Sequence, residues 1–150
     1  AAIYHGRTFM INNANKKQNV LVIIGTRPEA IKMAPVIRTL HKNKAYDVSV
    51  CATGQHTDMM FPILDWFGIS RDYTLDVMRH QQPLSHLAGR LLSGLHDVIE
   101  EATPDIIMVQ GDTTSAFIGA LASYYSYDHF WKNQLRNTPM RIAHVEAGLR

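Results

Sequence analysis

GTRPEAIK, residues 25–32, sets an arginine, Arg27, and a lysine, Lys32, just beyond a single glycine. The run Val20 to Ile24 before it is short, β-branched and uninterrupted, which suits a strand buried on both faces. Pro28 fits the first turn of a helix, where its missing N–H costs nothing. Strand, Gly turn, helix start is where α/β proteins hold anions, because free N–H groups and the helix dipole both point there. Arg27 and Lys32 would add full positive charges to that partial one. Farther along, QGDTT at 110–114 and HVEAG at 144–148 each contribute a carboxylate, Asp112 and Glu146. Two carboxylates beside a phosphate-binding arginine suit acid/base work on an anionic ligand. Each also has a plainer reading: Asp112 could cap the helix that follows it, and Glu146 could belong to a loop salt bridge.

Other chemistries find little support. No G-x-G-x-x-G follows a strand and no G-x-x-x-x-G-K-[ST] occurs, so an arginine fork must replace the usual glycine-rich phosphate cradle. The eight histidines include no His-Glu-x-x-His arrangement, and the single cysteine, Cys51, excludes a multi-cysteine zinc site and an internal disulfide framework. No metal is predicted. His56 and His144 read as loop or packing histidines, and Trp66 and Phe67 as core. Fifteen Lys+Arg against thirteen Asp+Glu leave a formal net charge of +2, with no basic run beyond Lys16-Lys17, which argues against a nucleic-acid-binding surface. The first residues lack the apolar stretch and small-residue cleavage site of a leader, and no run is long enough to span a bilayer, so a cytoplasmic protein without membrane contact is expected.

With 150 residues and 46% hydrophobic content, the chain has the size and composition of one globular domain. Residues 1–19 read as a polar extension, native or left over from cloning, and residues 20–150 as the folded part. After the first strand, Ala30, Ile31, Ala34, Ile37 and Leu40 lie at helical spacing, with a kink expected at Pro35. A second strand is predicted over 46–53. MMFPILDWFGI follows as a helix interrupted at Pro62 and closed near Gly68. A short extended piece spans 73–77. Leu84, Leu87, Leu91, Leu95, Val98 and Ala102 then mark a long helix that Thr103-Pro104-Asp105 ends. IIMVQ at 106–110 is another buried strand, followed by a helix that Thr114 or Ser115 could cap. Residues 126–139 loosen into a polar stretch with aromatics, and MRIAHVE forms a last strand. Strands alternating with helices predict an α/β fold with a Rossmann-like, doubly wound, mainly parallel sheet. Every polar cluster named above, and TGQH at 53–56, then lies at the carboxyl end of a strand, the edge where open α/β sheets bind ligands.

The ordered strings GTRPEAIKMAP, TGQH, QGDTT and AHVEAGLR closely resemble those of the non-hydrolysing UDP-N-acetylglucosamine 2-epimerases, over residues 20–150 almost end to end. The resemblance implies the amino-terminal half of a glycosyltransferase type B-like architecture. This half is incomplete at its C-terminal end, the second Rossmann-like domain is absent, and the active site lies in the cleft between the two. It further implies a UDP-sugar substrate, no redox cofactor and a homodimeric parent enzyme. In the family's reaction, UDP leaves C1 of UDP-GlcNAc as C2 loses a proton. Both then add back with C2 inverted, giving UDP-ManNAc. On this resemblance Arg27 and Lys32 match the basic residues on the phosphate side, and Asp112 and Glu146 match two of the acid/base carboxylates that also contact substrate. Gln55 and Gln82 match part of an allosteric substrate site found in some bacterial members, whereas Asp58 and Gln81 differ from the glutamine and arginine used there. The segment 126–139 exceeds the usual link and is expected to be a lid, an interface or an insertion. A chain with one wall of the cleft is expected to be inactive alone. The competing readings are the amino-terminal half of a related glycosyltransferase and a non-catalytic sugar-nucleotide-binding or assembly module.

Overall fold

The computed structural model describes residues 17–54, 57–132 and 139–148. Within them strands and helices alternate as β1 (Gln18–Ile24), α1 (Arg27–Lys42), β2 (Tyr46–Ala52), α2 (Thr57–Trp66), β3 (Tyr73–Thr74), α3 (Leu84–Ala102), β4 (Ile106–Gln110), α4 (Thr114–Lys132) and β5 (Arg141–Val145). The strands form one parallel sheet in the order β3-β2-β1-β4-β5. The chain moves outward from β1 in one direction, then returns to β1's other side with β4. The order therefore reverses between β1 and β4.

Central β1 shows why the sheet is doubly wound. Val20, Leu21, Val22, Ile23 and Ile24 are all buried, and alternate side chains go to opposite faces. Leu21 and Ile23 pack with Leu87, Leu91 and Leu95 of α3 and Ala116 and Ile118 of α4. Val20, Val22 and Ile24 pack with Ala30, Met33, Ala34 and Ile37 of α1 and Met60 and Leu64 of α2. Each such Leu or Ile contributes about 1.5–3 kcal/mol through burial.

Several boundaries differ from expectation. The first strand begins at Gln18, two residues inside the segment read as an extension, because the Gln18 N–H donates to Ala45 O at 2.8 Å and the Asn19 N–H to Asp105 Oδ2 at 2.9 Å. Pro35 and Pro62 interrupt neither helix. Both prolines are exposed. Trp66 is not core: it is 78% exposed, because Met60 and Leu64 define the inner face of α2, while Phe67 is half-buried against the Trp66 ring edge. Leu84 is likewise exposed, and the buried stripe of α3 begins at Leu87. Helix α4 continues through residues 126–132 of the polar stretch, and 133–138 lie outside the described residues.

Gly25, at the end of β1, has no room for a side chain. A Cβ there would lie 2.1 Å from Ser115 Oγ and 2.5 Å from Ser115 Cβ, and Ser115 is itself buried and bonded to Thr53. Gly25→Ala should cost about 1–3 kcal/mol in urea denaturation, as overpacking does. Adding Ser115→Gly should recover part of that loss; an unchanged midpoint for the single variant would mean the turn and α4 are not in contact.

Candidate active site

The carboxyl ends of β1, β2, β4 and β5 carry the four polar clusters to one edge of the sheet. At β1 the turn Gly25-Thr26 leads into α1, whose first turn contains Arg27 and Pro28. The amides of that turn are not free for a ligand as expected: Gly25 N–H and Thr26 N–H both donate to Glu29 Oε2, the latter at 3.0 Å. Thr26-Arg27-Pro28-Glu29 has the Thr-x-x-Glu spacing of a capping box, in which the N3 carboxylate turns back onto the N-cap amide. Glu29 is 2% exposed, and its Oε1 accepts the hydroxyl of Thr113 from the opposite loop. Burial pushes its carboxyl above the usual carboxylate range, with a smaller push from the Asp112 charge, and the donors from Thr113, Gly25 and Thr26 oppose this. The sequence carried the signal for Glu29 in that box, but the residue escaped notice as a site element.

Thr113, not Asp112, Thr114 or Ser115, caps α4: the Ala116 N–H donates to Thr113 Oγ1 at 3.1 Å. Ser115 instead bonds Thr53 at the end of β2, Oγ to Oγ1 at 2.9 Å. Relieved of capping, Asp112 is exposed and makes no hydrogen bond or ion pair among the described residues. Arg27 is likewise exposed and makes none. One uncommitted cation and one uncommitted carboxylate thus flank the point where strand order reverses, the place where such sheets bind ligands.

Glu146 is committed. It follows β5 in left-handed backbone, φ 59°, and its Oε2 accepts Lys32 Nζ at 2.6 Å and the side-chain amide of Gln110. The left-handed turn aims the carboxylate back across β4 toward α1. Lys32 therefore touches a carboxylate in this structure, and its side chain remains 50% exposed. Contrary to expectation His144 is neither a loop nor a packing histidine: it is an exposed residue of β5, with Nε2 2.6 Å from Gly111 O, and the Gly111 N–H donates to Val145 O at 3.0 Å. Gln82, half-buried before α3, donates to Met78 Sδ at 3.3 Å. Gln55 and His56 lie outside the described residues, as does the side chain of Asp58. Among the described residues no group of three His, Cys, Asp or Glu side chains could hold a metal ion, and no helix is long and apolar enough to cross a membrane.

The family model described as UDP-N-acetylglucosamine 2-epimerase matches residues 38–150. The chain belongs to the UDP-N-acetylglucosamine 2-epimerase family. A UDP-N-acetylglucosamine 2-epimerase of Yersinia pestis is 44% identical over 131 residues, 87% of this chain and 32% of that protein. The UDP-GlcNAc 2-epimerase of Neisseria meningitidis, solved bound to UDP-GlcNAc, superposes with TM-score 0.74 at 41% identity, over 88% of this chain and 32% of that one. That of Methanocaldococcus jannaschii, in complex with UDP-GlcNAc and UDP, gives TM-score 0.71 at 31% identity over 88% and 33%. The chain spans about a third of the length of these epimerases, and the match confirms the Rossmann-like fold.

The raised pKa of Glu29 fixes a sign for this member of the epimerase family. The native chain holds that proton to higher pH than the unfolded chain does. The stabilisation is complete below the ordinary glutamate range and is lost as pH rises through the raised value. Glu29→Gln should remove about one proton's worth of that fall in urea stability measured against pH. Parallel curves for the two proteins would place the proton elsewhere.

Proposed function

We propose that this chain forms one wall of the active site of a UDP-GlcNAc 2-epimerase, which interconverts UDP-GlcNAc and UDP-ManNAc by eliminating UDP and adding it back with C2 inverted. The observation that carries the reading is the uncommitted pair Arg27 and Asp112 on either side of the β1–β4 crevice, in a chain of this family. The C2 proton of the sugar is not acidic at first. It becomes removable only as the C1–O bond breaks and positive charge develops at C1, so stabilising the departing diphosphate is the large electrostatic task. With two turn amides held by Glu29, that task falls on the forked donors of Arg27 and on the α1 dipole. Lys32 adds charge on the same side while holding Glu146.

Inversion requires proton exchange on both faces of C2, which one fixed carboxylate cannot supply. Asp112 and Glu146 take the two acid/base roles and contact the sugar. Their settings differ usefully: Glu146 has one oxygen anchored by Lys32 and Gln110, whereas Asp112 is exposed and makes no hydrogen bond among the described residues. Elimination and re-addition oxidise nothing, so no redox cofactor takes part. The substrate is a UDP-sugar, as bound in the Neisseria and Methanocaldococcus relatives. The remaining contacts to uridine come from a second domain, the parent enzyme is a cytoplasmic homodimer, and Gln55 and Gln82 belong to an allosteric substrate site.

In a full-length polypeptide carrying these residues, Arg27→Ala should reduce turnover at least 100-fold with little change in melting temperature, since its side chain supports no other residue. Asp112→Asn should abolish solvent deuterium incorporation at C2 of recovered sugar nucleotide while the protein stays folded. Normal incorporation in the Asn variant would remove Asp112 from the proton transfer.

A further inference from the structure

The ladder between β1 and β4 runs only from Val20 opposite Ile106 to Val22 opposite Met108. Beyond it the two strands carry on, β1 to Ile24 and β4 to Gln110, while β4 stays paired with β5 as far as Gln110 opposite Val145. The sheet therefore splays at its carboxyl edge between β1 and β4, the crevice flanked by Arg27 and Asp112. Among the described residues, side-chain links that cross the splay include the Thr113 hydroxyl donating to Glu29 Oε1, Ser115 seated on Gly25 and bonded to Thr53, and Lys32 held to Glu146, which also accepts from Gln110. Glu29 is anchored on its own side by Gly25 N–H and Thr26 N–H. Thr113 is anchored on the other by the Ala116 N–H, and it sits next to Asp112 in sequence.

We propose that Glu29 and Thr113 are positioning residues that set the width of the crevice, and with it the distance between the Arg27 side and the Asp112 side of the reacting sugar nucleotide. Neither needs to touch substrate. Glu29 is buried beneath the turn, with both oxygens occupied by protein donors. The rigid side of the brace is the capped helix start of α1, and the adjustable side is the loop of Asp112. A loss of the bond lets that loop drift, and drift of about 1 Å at a reacting group costs up to about 100-fold in rate. The catalytic half of this inference rests on the epimerase reading; the brace itself does not.

The test uses Thr113→Val, which removes the hydroxyl at nearly constant shape, and Thr113→Ser, which restores it. In the full-length protein Thr113→Val should lower kcat for C2 deuterium exchange about 10- to 100-fold, with KM for UDP-GlcNAc changed much less, and Thr113→Ser should recover most of it. Across the gap, amide hydrogen exchange at Gly25 and Thr26 should speed up about tenfold in Thr113→Val, because the carboxylate they bond loses its third anchor. Unchanged kcat in a folded Thr113→Val protein, or a Ser variant as poor as Val, overturns the positioning role. Unchanged exchange at both amides overturns the brace. If wild type itself shows no C2 exchange, the epimerase reading fails and the amide measurement alone decides the brace. Should Thr113→Val not fold, Thr113→Ala, which removes the hydroxyl with a smaller side chain, takes its place with the same kcat and KM criteria.

Discussion

A buried carboxylate links β1 to β4 at the carboxyl edge of the sheet. Where β1 and β4 part, no backbone ladder joins them, and Glu29 spans the opening by accepting two amides from one lip and a hydroxyl from the other. Burying a carboxylate is costly unless its oxygens are satisfied, and here both are. The arrangement explains neighbouring sequence choices. Gly25 must lack a side chain so that Ser115 can approach, Thr26 must begin the helix so that Glu29 can fold back, and Thr113 must carry a hydroxyl. Structural demands on this turn are met without using Arg27, which leaves its guanidinium available for a ligand.

The same economy separates the carboxylates by function. Glu29 is internal and bonded to protein at both oxygens. Glu146 is held at one oxygen by Lys32 and Gln110, in a left-handed turn that sends it back over β4. Asp112 is left to solvent because Thr113 takes over the capping duty. Three acids close to one crevice would repel one another and any diphosphate. Burying one beneath donors and pairing another with a lysine leaves Asp112 as the exposed acid of the three.

Much of the fold was legible in residue pattern. The uninterrupted β-branched run at 20–24, the leucine spacing from Leu87 to Leu95 and the repeated polar clusters after strands suffice for a doubly wound sheet. Periodicity said less where a residue's surroundings come from distant chain: Trp66 looks like core until Met60 and Leu64 are seen to fill the inner face of α2. Pro62, read as an interruption, lies inside a continuous α2. For the site, the motifs lie in loops that the fold gathers at one edge of the sheet, yet the pairing of Lys32 with Glu146 spans 114 residues of sequence and no local pattern encodes it. Glu29 is the instructive case. Its capping-box spacing is local and readable, whereas its bond to Thr113 exists only because strand order reverses there.

The central claim is that a nucleotide diphosphate is held at the start of α1 on the β1–β4 crevice. Amide chemical-shift mapping of this chain with UDP reads it directly and needs no catalysis. One wall of a cleft leaves the ligand solvated on its other side, so affinity should be about millimolar, roughly 4 kcal/mol. The largest shifts should fall at Arg27, Glu29 and residues 111–114. Shifts centred instead on the opposite edge of the sheet, around Arg38, His41 and Lys42 at the end of α1, would contradict the account, as would no saturable shift at all.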